Sequence, residues 1–69
     1  MSQETVYKLL KKLGGRATSR EIRDLAKKMY PQYTLHLYIA NRLRKLERNG
    51  YVKLRKDGYW MIAAEYDRG

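Results

Sequence analysis

Apolar residues recur along this chain at two spacings, and the change from one to the other divides it. Val6, Leu9, Leu10 and Leu13 repeat at helical spacing and define the buried side of a first helix. Ser2 is placed to cap that helix, Glu4 suits the positive end of its dipole, and Gly14-Gly15 ends it. Thr18-Ser19-Arg20-Glu21 carries the capping-box pattern of a second helix. The stripe of that helix is Ile22, Leu25, Ala26 and Met29, and Pro31 stops it by pushing Tyr30 out of helical geometry. Arg16-Ala17, between the two helices, reads as a short strand that pairs with later strands. A third helix is predicted from Leu35 to Asn49 with Thr34 as its cap and Gly50 as its stop. Leu35, Ile39, Leu43 and Leu46 fall on one side of it; Leu37, Asn41, Arg44, Lys45 and Arg48 fall on the other, with Tyr38 beside them.

After Gly50 the spacing becomes alternate. Val52 and Leu54 alternate with Lys53 and Arg55, and Trp60 and Ile62 alternate with Tyr59 and Met61. A two-residue turn at Asp57-Gly58 would send Trp60 and Ile62 to the face that carries Lys53. A three-residue turn, Lys56-Asp57-Gly58, sets Leu54 opposite Trp60 and Val52 opposite Ile62, so that the large apolar groups share one face. A slip of one residue exchanges the faces, so burial selects the longer turn. Its chemistry agrees, because a type I turn followed by a left-handed glycine is a common hairpin loop. Lys53, Arg55, Tyr59 and Met61 are then left on the outer face.

The 69 residues suit a single domain, 1–69, of α+β class. The absence of cysteine excludes disulfides and thiolate zinc sites. One histidine and dispersed acids give no nucleophile–base pair, so no catalytic role, cofactor or metal is expected. No small-molecule ligand is evident either. No apolar run approaches the roughly 20 residues of a membrane span, and no N-terminal signal pattern is present. The expectation is a cytoplasmic protein.

Charge changes the picture most. The net charge is +9, and 15 of the 16 cations lie between Lys8 and Lys56 against only Glu21, Asp24 and Glu47. Such an excess attracts polyanions, with nucleic acid as first candidate and an anionic membrane surface as second. The bland reading is that basic charge only aids solubility. Against it, the cations segregate onto faces: Arg44, Lys45 and Arg48 have no acid among them on the third helix. A helix with cations on one side and a cationic hairpin beyond it is the form of a DNA reader, the helix in the major groove and the hairpin along the backbone.

Helix, short strand, helix, turn, helix, hairpin resembles the winged helix-turn-helix family over about residues 4–62. The nearest match in text is Ile39-Ala40-Asn41-Arg42-Leu43-Arg44-Lys45-Leu46-Glu47-Arg48-Asn49-Gly50-Tyr51-Val52, similar to that family's recognition helix and its lead-in to the wing. The small, basic, tyrosine-rich make-up is similar to short archaeal or archaeal-virus DNA-binding regulators of the family. The turn Tyr30-Pro31-Gln32-Tyr33 departs from the pattern, being longer and more aromatic than the usual tight turn.

The resemblance implies a three-helix winged fold with a two-stranded hairpin wing, sequence-specific binding of double-stranded DNA, transcriptional regulation and association with the nucleoid. Arg44 or Lys45 would meet guanine or phosphate, and Asn41 adenine. Leu37 would touch a thymine methyl or belong to a subunit contact, and Tyr38 would meet a phosphate, with Arg48 alongside; an exposed leucine and an ordinary solvated face are the plain alternatives. Lys53, Arg55, Lys56 and Tyr59 would hold backbone or minor groove from the wing, with Asp57 forming the turn and Trp60 in the core. Arg20, Arg23 and Lys27 on the second helix, with Arg16 and Ser19 near its start, would take phosphates as the helix crosses the backbone. His36 reads as a packing histidine. Tyr7 and Tyr66, near the chain ends, suggest a homodimer through the terminal segments, or else complete the core. Two other functions stay open: a protein-interaction module for replication or filament recruitment, using Leu37, Tyr38, Tyr59 and Met61, and a sequence-neutral chromatin protein.

Overall fold

A computed structural model describes residues 3–64. Helix α1 is Gln3–Lys12, strand β1 Arg16–Thr18, helix α2 Ser19–Met29, helix α3 Ile39–Arg48, strand β2 Val52–Leu54 and strand β3 Tyr59–Ile62. The architecture is α+β: three helices on one three-stranded antiparallel sheet of order β1-β3-β2. The hairpin of β2 and β3 stands where the wing was expected, and the short strand at Arg16-Ala17 extends it to a three-stranded sheet. Ser2, the expected cap of α1, lies outside the described residues, as does Tyr66.

The core is the set of stripes read from the sequence. Val6, Leu9 and Leu10 of α1, Ile22 and Ala26 of α2, and Ile39, Leu43 and Leu46 of α3 are buried together with Ala17, Leu35, Val52 and Trp60. Leu13, Leu25 and Ile62 pack at its margin. Met29 departs from expectation at 37 % exposed. It is the last residue of α2, three residues beyond buried Ala26.

Thr18 joins strand to helix. Its Oγ1 accepts from the Glu21 N–H at 3.1 Å, and its own N–H donates to Glu21 Oε1 at 2.9 Å, so the capping box is complete. As Thr18 also pairs with Tyr59 across β1 and β3, the cap fixes where α2 leaves the sheet. Thr18→Ala is expected to cost about 1 kcal/mol. In a domain of this size that lowers Tm by about 4–8 °C, readable by thermal circular dichroism.

The hairpin has the register that burial demands: Val52 opposite Ile62, Lys53 opposite Met61 and Leu54 opposite Trp60. The Arg55 N–H donates to the Tyr59 carbonyl at 2.8 Å and the Gly58 N–H to the Arg55 carbonyl at 3.1 Å, which closes the loop Lys56-Asp57-Gly58. Gly58 sits at φ 89°, a conformation that costs little only without a Cβ. Trp60 is in the core at 5 % exposed, whereas Leu54, the last residue of β2, reaches beyond it and is partly exposed.

The third helix is shorter than predicted. Leu35–Leu37 form one 3-10 turn, and α3 starts only at Ile39, after Tyr38 at φ −118°, ψ 17°. Thr34 makes no capping hydrogen bond through its side chain. The 3-10 turn fills the long, aromatic connection and gives α2 a packing partner through buried Leu35. At the other end the Gly50 N–H donates to the Glu47 carbonyl at 3.0 Å and the Tyr51 N–H to the Leu46 carbonyl at 2.9 Å. This is a Schellman stop, with Gly50 at φ 83°.

Candidate nucleic-acid interface

Burying Ile39, Leu43 and Leu46 turns the opposite side of α3 to solvent. Asn41, Arg44, Lys45 and Arg48 are all exposed there. Among the described residues none of the three cations is paired with a carboxylate. Their field therefore projects outward, uncompensated by a local ion pair.

The two flanks of this ridge differ. On the side of α2, a hollow of about 190 Å³ is lined by Ser19, Arg20 and Arg23 from the start of α2 and by His36, Leu37 and Ala40 from the start of α3 and its lead-in. This brings together residues that the sequence assigned to separate elements. Leu37, 66 % exposed, forms one wall of the hollow instead of standing among the cations of the ridge. His36 is half-buried, and its Nδ1 has no hydrogen-bond partner among the described residues. Arg23 Nε lies 4.0 Å from Asp24 Oδ1, with both side chains at least half exposed, a pair that solvent screens heavily. Lys27 is exposed two turns along α2 from Arg20 and lies outside the hollow.

On the side of α1, Lys45 and Arg48 line a separate hollow of about 510 Å³ with Gln3, Arg42 and Asn49. Arg42 was missed in the sequence. Its guanidinium lies 5.9 Å from the centre of the Tyr38 ring, and its Nη1 donates to Asn41 Oδ1 at 3.3 Å. Contact of Asn41 with adenine through both amide atoms would exchange that bond. The signal available was the four-residue step from Tyr38 to Arg42, which stacks side chains on one helix face.

The sheet adds a third surface. Arg16, expected in a short strand and as a phosphate contact near the start of α2, lies in β1 on the outer face of the sheet. It pairs with Met61, which also pairs with Lys53, and its guanidinium lies 5.5 Å from the centre of the Tyr59 ring. Arg16, Lys53 and Arg55 thus share one face with Tyr59 and Met61. Arg55 is engaged: Nη2 is 3.3 Å from Asp57 Oδ2, and Nη1 is 3.8 Å from Met61 Sδ. Asp57 also accepts from the Tyr59 N–H at 3.1 Å, which makes it a turn former. Lys56 is exposed at the tip.

At the far side Tyr7 meets Tyr51 edge-on, with centres 6.1 Å apart, and Lys11 Nζ lies 5.8 Å from the centre of the Tyr7 ring. Tyr7 packs against the core. Among the described residues no helix is long and apolar enough to cross a membrane, and no cluster of three or more His, Asp or Glu is placed to hold a metal ion. No protein-family model, curated protein or solved structure matches this chain.

Proposed function

We propose that this protein binds double-stranded DNA in a sequence-selective way and regulates transcription, acting where the chromosome lies. The observation that carries the reading is the exposed ridge of α3, where Arg44, Lys45 and Arg48 have no carboxylate partner among the described residues, with the hollow of Ser19, Arg20 and Arg23 on the α2 flank of the same helix. A major groove about 12 Å wide admits a helix, and an arginine there reads guanine through two hydrogen bonds. Arg20 and Arg23 at the start of α2 would take a flanking phosphate. Lys56 and the sheet's cations would hold the backbone beyond it. Assembly as a homodimer through the terminal segments belongs to the same proposal, and sedimentation of the free protein and the complex reads it.

The test separates base readout from backbone attraction. Arg44→Ala should weaken the preferred duplex by roughly 5- to 150-fold and unrelated duplexes much less, because a bidentate base contact is worth about 1–3 kcal/mol. Lys56→Ala should weaken all duplexes alike. Equal losses across sequences for both variants would leave a sequence-neutral DNA-coating protein. A lack of duplex binding even at low salt would turn attention to Leu37, whose exposure is the feature that favours a protein partner.

A further inference from the structure

Arg42 borders two hollows at once. One, of about 140 Å³, is formed by Tyr33, Thr34, Leu35 and Tyr38 together with Arg42. The other is the hollow of Gln3, Lys45, Arg48 and Asn49 on the α1 side of α3. Through their shared arginine they make one track along α3, which runs from the connection before the helix to its α1 side. The helix contributes about 15 Å of length to it. No carboxylate is among the described residues that line either hollow.

The two ends of the track have different chemistry. One end is aromatic. Tyr33 and Tyr38 are each about half exposed, at 51 % and 50 %, and Tyr30 braces Tyr33 in an edge-on contact with ring centres 6.4 Å apart. Buried Leu35 gives this end an apolar lining. The other end is cationic, with Lys45 and Arg48 and the polar side chains of Gln3 and Asn49. Between them, Arg42 spends one Nη donor on Asn41, and its buried Nε–H has no acceptor among the described residues.

Exposed rings beside a guanidinium plane, continued by a line of cations, suit unpaired bases on a flexible phosphate backbone. A duplex stacks its bases inside and cannot offer their faces to Tyr33 or Tyr38. An acidic peptide would satisfy the cations but leave the rings without flat partners.

We infer that this track along α3 is a second nucleic-acid site, which takes a single-stranded segment with a base against Tyr33 and Tyr38 and phosphates along Arg42, Lys45 and Arg48. The site shares Lys45 and Arg48 with the ridge proposed to meet a duplex, so the two ligands would compete for those cations, whereas Tyr33 and Arg42 belong to this site alone; it stands whether or not a duplex binds.

The experiment titrates the full chain into labelled oligothymidylate, oligouridylate and a duplex, followed by fluorescence anisotropy, with wild type and Tyr33→Ala compared. Tyr33 carries no assigned duplex contact, and it is half exposed, so the variant should keep the wild-type circular dichroism spectrum. Loss of a stacked base should weaken single-strand binding by roughly 5- to 100-fold and leave duplex affinity unchanged. The tighter of the two oligonucleotides identifies DNA or RNA as the source of the strand. Equal affinity of wild type and variant for both single strands would overturn the inference. So would displacement of the oligonucleotide by polyglutamate at equal charge concentration, since the track would then read charge alone. Failure of duplex binding with single-strand binding intact would count against the proposed regulatory role and leave this site standing.

Discussion

Raising the salt concentration from about 50 to 200 mM should weaken duplex binding about a thousandfold. The expectation follows from counting contacts. Lys45 and Arg48 on α3, Arg20 and Arg23 on α2, and Lys56 with a further sheet cation would neutralise about six phosphates. Each neutralised phosphate releases counterions, so log K should fall against log salt with a slope of roughly −5 to −6. Arg55 is the cation discounted here, because Asp57 already lies 3.3 Å from it. Anisotropy titrations at several salt concentrations read the slope directly. A slope near zero would mean that the exposed cations of α3 do not meet phosphate, and the duplex proposal would fall with it.

Leu43→Ala should remove much of the fold's stability. Leu43 is fully buried at the centre of the α3 stripe, and truncating such a leucine costs about 2–5 kcal/mol through lost transfer energy and the cavity left behind. At roughly 0.05–0.15 kcal/mol per residue, a chain of this length holds only about 3–10 kcal/mol in total. The variant should therefore keep only about half of that stability, and its urea midpoint should fall in proportion. Leu37→Ala, at an exposed position, should change stability by less than about 0.5 kcal/mol. Urea denaturation of the pair tests which side of this segment faces inward. Comparable losses in both variants would contradict the inward side assigned here.

The hairpin was legible in the sequence because two independent demands coincide there. Burying Val52, Trp60 and Ile62 on one face requires a three-residue loop, and Gly58 supplies the left-handed residue which that loop needs. The cap at Thr18 was legible for a similar reason, since both halves of a reciprocal hydrogen bond are written three residues apart. The start of α3 was not. Leu35 and Ile39 are four apart and both buried, and that spacing fits a continuous helix as well as a 3-10 turn followed by a helix. Periodicity alone does not register the change of backbone at Tyr38.

The candidate site was legible in its ridge and not in its flanks. A helical projection puts Arg44, Lys45 and Arg48 outward, and the structure leaves them exposed. Which neighbour each flank meets depends on how α1 and α2 cross α3, and no periodicity encodes that. Hence Leu37 turned out to wall a hollow with Arg20 and Arg23, and Arg42 to sit between tyrosines and cations. Arg16 reads as part of a short strand and lies in one, but its partner Met61, which sets the face it shares, is not legible from so short a segment.

The strand order has a consequence for behaviour in crowds. With β3 in the centre, both outer margins of the sheet are strands of only three residues, Arg16–Thr18 and Val52–Leu54, each bearing a cation. Short, charged margins are poor templates for a neighbouring molecule's backbone. Many copies concentrated on one polymer should therefore stay separate particles and not knit into a continuous ribbon.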